Sequence, residues 1–230
     1  MIDSRLAVVL FVAAVTLAAR EPLPRYRPED ADYRFVWNDD AAAMGAAAPT
    51  GDAPQHPNVA NLLQSPDPVY ALYREDVSHA AVVDFFTQIA GDRMIAESIL
   101  FHAARRRVPI GIVFAIVHTE SRFDPTAVNA NPTSIDRGLM QLNSRTFRDL
   151  TIDDFFDPET NVFHGVDYFV WCLTHNDTVM NAVATYNAGL TRVRAGRIPA
   201  STQVYMQRVQ TFHRATMERF VRYIERQFPS

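Results

Sequence analysis

The stretch Ile110-Gly-Ile-Val-Phe-Ala-Ile-Val-His-Thr-Glu120-Ser-Arg-Phe-Asp-Pro125 carries the main signal in this sequence, because an apolar segment runs directly into one carboxylate. Such a segment is typical of a helix that is buried on every side. The Asp-Pro pair ends this helix, because proline disfavours helical geometry both at its own position and at the preceding one. Glu120 is therefore expected at a poorly solvated helix end, where its pKa should rise. A carboxylic acid that is still protonated near neutral pH can donate a proton to a leaving group.

Two further motifs follow this stretch, Gly138-Leu-Met-Gln141 and Ala184-Thr-Tyr186-Asn187-Ala-Gly189. Together with the Glu-Ser-Arg-Phe-Asp-Pro-Thr-Ala-Val segment that starts at Glu120, they resemble the catalytic domain of the soluble lytic transglycosylases. The resemblance covers roughly residues 80–212. It implies a mainly α, lysozyme-like α+β fold that cleaves peptidoglycan. A small irregular or β-hairpin segment is expected near residues 127–137.

The resemblance also assigns roles to individual residues, with Glu120 as the catalytic acid and Tyr186 as a side chain that hydrogen-bonds or shields it. The hydroxyl of Ser121 would help to position the acid. The residues expected to bind substrate are Ser121, Gly138, Met140, Gln141, Tyr186, Asn187 and, at a weaker family position, Tyr205.

The Gly138–Gln141 motif is expected to face the acid across a cleft. Gly138 would allow the backbone to approach a sugar closely. The amide of Gln141 can both donate to and accept from an N-acetyl group. Met140 could lie against a sugar face, and a core methionine is nearly as good a reading.

Asp136 leaves the reaction open, because a usual glycosidase needs two carboxylates. The segment Ser134-Ile-Asp136-Arg-Gly-Leu-Met-Gln-Leu-Asn-Ser-Arg145 also resembles the active-site strand of animal-type lysozymes, where an aspartate is the second carboxylate. Similar segments occur in transglycosylases attached to secretion machinery. We favour cleavage without water by a lytic transglycosylase. The alternatives are a muramidase that uses Glu120 and Asp136, and a non-catalytic glycan-binding module.

The composition sets broad limits on partners and cofactors. The chain has 230 residues, 48% of them hydrophobic, and a net charge of only −4, which gives no argument for a nucleic-acid partner. Its C-terminal segment, residues 190–230, is rich in arginine and could meet an anionic polymer, although a solvated helix surface is the simpler explanation. The single cysteine, Cys172, is expected in the core. His118 and Glu120 are two positions apart, so their side chains point in different directions on a helix and cannot bind the same metal ion. The sequence predicts no metal and no cofactor.

The ends of the chain suggest its organisation and location. Residues 1–19 are predicted to be a signal peptide or an N-terminal anchor, because the apolar run is short for a bilayer span. Residues 20–77 are rich in proline and alanine and are predicted to be a flexible linker. The domain is expected at residues 78–230, in the periplasm or cell envelope. Peptidoglycan strands are the expected partner, and an envelope machine such as a secretion or motility complex is a further candidate.

Apolar periodicity and capping residues predict the helices of this domain. They are expected from Ser78 to Gly91, from Met94 to Arg107, from Pro109 to Glu120, from Gly138 to Phe147, from Pro158 to His175 and from Thr178 to Asn187, followed by a long amphipathic helix after Pro199.

Overall fold

The computed structural model describes residues 57–229, which form ten helices and one antiparallel sheet with the strand order β1-β2-β3. None of the helices in this range is long and apolar enough to cross a bilayer. The elements are α1 (Pro57–Leu62), α2 (Pro68–Tyr73), α3 (Asp76–Ala90), α4 (Arg93–Arg106), α5 (Ile110–Ser121), β1 (Val128–Ala130), β2 (Ile135–Arg137), β3 (Leu142–Asn143), α6 (Ile152–Phe156), α7 (Pro158–Thr174), α8 (Val179–Ala188), α9 (Leu190–Arg194) and α10 (Ala200–Gln227). The mainly α fold with a small hairpin region is confirmed.

Helix α5 lies in the core, and its first eight residues are all buried. It packs against α10 and α4, which cover different sides of it. Phe114 of α5 stacks on Phe86 of α3 with ring centroids 4.2 Å apart. Each fully buried large apolar side chain in such a core contributes about 1.5–3 kcal/mol. The burial that the sequence predicted for this helix is confirmed, and it fixes the position of Glu120 near the end of α5.

Side-chain caps explain where several helices begin. Asp92 accepts a hydrogen bond from the Ile95 N–H at the start of α4, and Asp157 accepts one from the Thr160 N–H at the start of α7. Pro158 occupies the first turn of α7, where its missing N–H costs nothing. These caps are local, so the helices predicted from Pro158 and from Thr178 are confirmed within a residue or two.

The predicted boundary at residue 78 is wrong, because residues 57–77 belong to the packed domain. Val59 of α1 and Val69 and Leu72 of α2 are buried in the main core. Asp67 caps α2 by accepting from the Tyr70 N–H, and it also accepts from the Ile110 N–H of α5 at 3.3 Å. Helices of six residues are too short to show an apolar period, which explains the error. The segments 1–19 and 20–56, predicted as a signal or anchor and as a linker, lie outside the described residues.

The helix predicted from Gly138 to Phe147 is also wrong. Gly138 and Gln141 have positive φ angles of 75° and 49°, which no right-handed helix allows. Leu142 and Asn143 instead form β3, which pairs antiparallel with β2 through Asp136↔Asn143. The apolar residues of this segment reach the core from turns and a short strand. Their spacing in the sequence is similar to that of a helix, which explains the error.

The C-terminal helix and the cysteine agree with the sequence. Helix α10 runs for 28 residues and buries one stripe that includes Tyr205, Val209, Phe220 and Ile224. Cys172 is buried and forms no disulfide, and burial raises the pKa of its thiol well above the usual value. Because α10 packs along α5, it brings Tyr205 to the helix end that carries Glu120.

Candidate active site

Glu120 lines a cleft of about 990 Å³. Helix α5 ends directly after it, because Arg122 and Phe123 take left-handed φ angles of 55° and 67°. The Arg122 N–H closes the last turn by donating to the His118 carbonyl at 3.0 Å. The chain therefore turns away immediately, and the carboxyl of Glu120 is left facing the cleft at the end of a buried helix.

The pKa of Glu120 is raised from its usual value to about 7. Burial is the main cause, since it penalises the charged form. The hydrogen bond from Tyr205 opposes this shift by stabilising the carboxylate, and the negative charge of Asp136 adds to it. A group with this pKa is present in both forms near neutral pH, so it can give up a proton and take one back.

Tyr205 supplies a hydrogen bond to Glu120. Its hydroxyl donates to Glu120 Oε1 at 2.7 Å. The Tyr186 hydroxyl, which also has a single hydrogen to donate, gives it to the Met140 carbonyl at 2.8 Å. Tyr186 lines the cleft and ties α8 to the segment before β3. The role expected of Tyr186, to hydrogen-bond or shield Glu120, stays a prediction.

Asp136 lines the same cleft from strand β2, where three asparagine amides surround it. Its Oδ1 accepts from Asn143 at 2.6 Å, and its Oδ2 accepts from Asn131 at 2.7 Å and from Asn129 at 3.4 Å. Asn129 and Asn143 are its cross-strand partners in the sheet. The carboxylate therefore organises the hairpin.

Gly138 and Met140 serve the core, so their predicted contacts with a sugar are not supported. A Cβ at Gly138 would lie 2.2 Å from the Phe155 carbonyl oxygen and 2.3 Å from Asn161 Nδ2. Met140 has no exposed surface and packs over Gly165 of α7. Neither residue lines the cleft. The small Gly138 and the buried Met140 instead allow this segment to pack closely against α7.

Gln141 and Asn187 line the cleft as predicted, and each is held by one end of its amide. Gln141 Nε2 donates to the carbonyls of Ala127 and Gly138 at 3.1 and 2.9 Å. Asn187 Oδ1 accepts from Thr202 at 2.8 Å. The oxygen of Gln141 and the nitrogen of Asn187 are therefore the amide atoms that these contacts leave for a ligand.

Ser121 also lines the cleft, but its hydroxyl donates back to the Val117 carbonyl of the same helix at 3.2 Å. This contact stabilises the last turn of α5. Ser121 can therefore help to position Glu120 through the helix end, and this role stays a prediction.

Comparison with known proteins shows which family the segment around this site resembles. The family described as Transglycosylase SLT domain matches residues 97–202. The site therefore lies within a segment that is similar to the transglycosylase SLT domain. This segment includes Glu120, Asp136 and Asn187, and it ends three residues before Tyr205.

The relatives of this segment are longer proteins. Over 86 residues the chain is 33% identical to a membrane-bound lytic murein transglycosylase F of Pasteurella multocida. The aligned stretch covers 34% of this chain and 17% of the relative. Over 93 residues it is 31% identical to a membrane-bound lytic murein transglycosylase F 2 of Alkalilimnicola ehrlichii. This aligned stretch covers 37% of the chain and 20% of the relative. The chain thus spans about a fifth of the length of these curated relatives.

One residue that the sequence did not single out holds the site together. Asn161 of α7 is buried, and its Oδ1 accepts from the Met140 N–H at 2.8 Å. Its Nδ2 donates to the carbonyls of Arg137 and Phe155. An asparagine inside the apolar run of α7 was the available signal, because a buried amide must find partners. Within residues 57–229, no three His, Cys, Asp or Glu side chains are grouped to share a metal ion.

Replacing Tyr205 with phenylalanine should raise the pKa of Glu120 above about 7. The hydrogen bond from Tyr205 stabilises the carboxylate, so its loss favours the protonated form. The measurement is a ¹³C NMR titration of the glutamate carboxyls, with the Glu120 signal assigned from its absence in a Glu120→Gln variant. Tyr223→Phe on the same helix is the matched control and should leave this titration unchanged. An unchanged or lowered value in Tyr205→Phe would contradict the role of the tyrosine.

Proposed function

We propose that this chain is a lytic transglycosylase that cleaves the β-1,4 bond between MurNAc and GlcNAc in peptidoglycan. The observation that carries the proposal is the carboxyl of Glu120, with a pKa of about 7, in a polar cleft of a segment similar to the SLT domain. The names of the relatives, lytic murein transglycosylases, support the same activity. Their being called membrane-bound supports a place in the cell envelope, and the signal or anchor at residues 1–19 remains a prediction.

In the proposed reaction Glu120 acts first as an acid and then as a base. Its proton passes to the glycosidic oxygen, the C1–O bond breaks, and GlcNAc leaves with a new hydroxyl. The 2-acetamido group of the MurNAc stabilises the positive charge at C1. The Glu120 carboxylate then takes the proton of the C6 hydroxyl, whose oxygen bonds to C1. The product is 1,6-anhydro-MurNAc, no water is consumed, and Glu120 ends protonated as it began.

The other cleft residues are suited to holding the sugars in place. The free oxygen of Gln141 can accept from an N-acetyl N–H, and the free amide nitrogen of Asn187 can donate to a sugar hydroxyl or carbonyl. Tyr205 keeps the acid in one orientation through the 2.7 Å hydrogen bond. Recruitment by a secretion or motility complex remains a proposal that the site itself does not address.

One observation favours a second reaction, hydrolysis by a lysozyme-like muramidase. Asp136 shares the cleft with Glu120 and raises its pKa through charge repulsion, as a second carboxylate would. However, both of its oxygens already accept amide hydrogen bonds from the hairpin. These contacts support a structural role, and we therefore favour the reaction with one carboxylate.

Replacing Asp136 with asparagine should leave activity within about tenfold of the wild type, since only hairpin hydrogen bonds are disturbed. The product should still be the anhydro sugar, one water lighter than the hydrolysis product. Digestion of purified sacculi followed by mass spectrometry measures both quantities, with Asp153→Asn in α6 as the control. A loss of several orders of magnitude, with a hydrated product from the wild type, would instead assign Asp136 to charge stabilisation and the protein to the hydrolases.

A further inference from the structure

A second cavity, of about 610 Å³, lies between the C-terminal end of α5 and the middle of α10. Thr119 and Arg122 line both this cavity and the cleft that contains Glu120. From α10 it is lined by Arg208, Thr211 and Phe212, among others. The two spaces are therefore neighbours at the end of α5.

One wall of this side cavity is flat and uncharged. The imidazole of His118 stacks on the ring of Phe212, with centroids 3.8 Å apart and an interplanar angle of 14°. Burial lowers the pKa of His118, and the charge of Arg122 lowers it further, which favours the neutral ring at neutral pH. The positive charge of the cavity therefore comes from its two arginines.

Neither arginine of this cavity is neutralised by an acid that the structure describes. Within residues 57–229, Arg122 and Arg208 have no ion pair, although both are exposed. By contrast, Arg106 pairs with buried Asp167 at 2.6 Å and Arg93 pairs with Glu97 at 2.8 Å. The backbone of Arg122 is fixed, since it is the left-handed residue that caps α5. Two unpaired guanidinium groups on one cavity favour an anionic ligand, and carboxylates match their geometry best.

We propose that the side cavity binds a carboxylate of the peptide stem of the muramic acid held in the cleft, and this inference rests on the proposed function. The stem is attached to the lactyl ether of the sugar, so it must leave the cleft at its side, and it carries free carboxylates. Arg122 and Arg208 pair with one of them, and Thr211 adds a hydroxyl donor. The side cavity thus makes the enzyme selective for strands that still carry stems.

The test compares glycan strands that carry intact stems with the same strands after an amidase has removed the stems. The quantity measured is the ratio of kcat/KM for the two substrates. We expect a ratio of about ten or more for the wild type, the factor expected of one charge-assisted hydrogen-bonded pair. Arg208→Gln should reduce the ratio to about one, mainly through KM. Arg219→Gln, an exposed arginine of the same helix outside both cavities, should leave the ratio unchanged.

Each other result overturns a defined part of the proposal. Equal rates of the wild type on both substrates, or a ratio that survives in Arg208→Gln, would exclude stem recognition by this cavity while leaving the proposed activity intact. An equal fall of the ratio in Arg208→Gln and Arg219→Gln would mean general attraction of a polyanion to α10. Failure of the wild type to cleave either substrate would overturn the proposed function and this inference with it.

Discussion

Replacing Glu120 with glutamine should abolish cleavage of peptidoglycan. The amide keeps the shape of the protonated acid but cannot give up or accept the proton, and general acid–base catalysis contributes about two to four orders of magnitude in rate. Release of soluble fragments from purified sacculi measures the loss. Glu218→Gln, an exposed residue of α10, is the matched control and should keep wild-type activity. Activity of Glu120→Gln above a few per cent of the wild type would assign the proton transfer to another residue.

The same substitution should not weaken the fold, which separates lost chemistry from lost structure. The raised pKa of Glu120 means that its contribution to stability is fully present below the pKa of about 4.5 of the unfolded chain and is lost as the pH rises through about 7. At pH 8 the wild type therefore holds a poorly solvated carboxylate, and the variant holds a neutral amide. The free energy of unfolding of Glu120→Gln at pH 8, measured with urea, should equal or exceed that of the wild type.

Replacing Gly138 with alanine should destabilise the domain by about 2–5 kcal/mol. An added methyl group costs about 1–3 kcal/mol when it overfills a packed site, and a non-glycine residue at positive φ costs roughly 1–2 kcal/mol more. The clash here is with the backbone carbonyl of Phe155 at 2.2 Å, which cannot rotate away as a side chain would. Urea unfolding followed by circular dichroism gives the change in the free energy of unfolding.

Gly196→Ala is the matched control for this prediction. Gly196 also has a positive φ, 65°, but a Cβ there would meet nothing within 4 Å. Its substitution should therefore show only the backbone cost of about 1–2 kcal/mol. Similar losses for the two variants would mean that the segment around Gly138 can shift away from α7, and that Asn161 does not hold it rigidly.

The predictions that agree with the structure rest on signals within a few residues of each other. The apolar run of 110–117 marks a buried helix, and a buried helix end leaves Glu120 poorly solvated. The Asp-Pro pair at the start of α7 caps it through a contact three residues away. The short helices α1 and α2 carried too little periodicity to be recognised, so 57–77 was assigned to a linker. Apolar residues at Leu139, Met140 and Leu142 imitated a helix, since the positive φ of Gln141 cannot be read from its identity.

Local composition and capping were enough to single out Glu120, the motifs around it and most of the long helices, because these features depend on residues that are close together in the chain. Only the tertiary structure decided the partners of the acid. Tyr205 reaches Glu120 across 85 positions of the chain because α10 packs along α5. Asp136 is surrounded by amides because the hairpin register places Asn129 and Asn143 beside it. Such contacts follow from packing between distant elements, which no short pattern in the chain records.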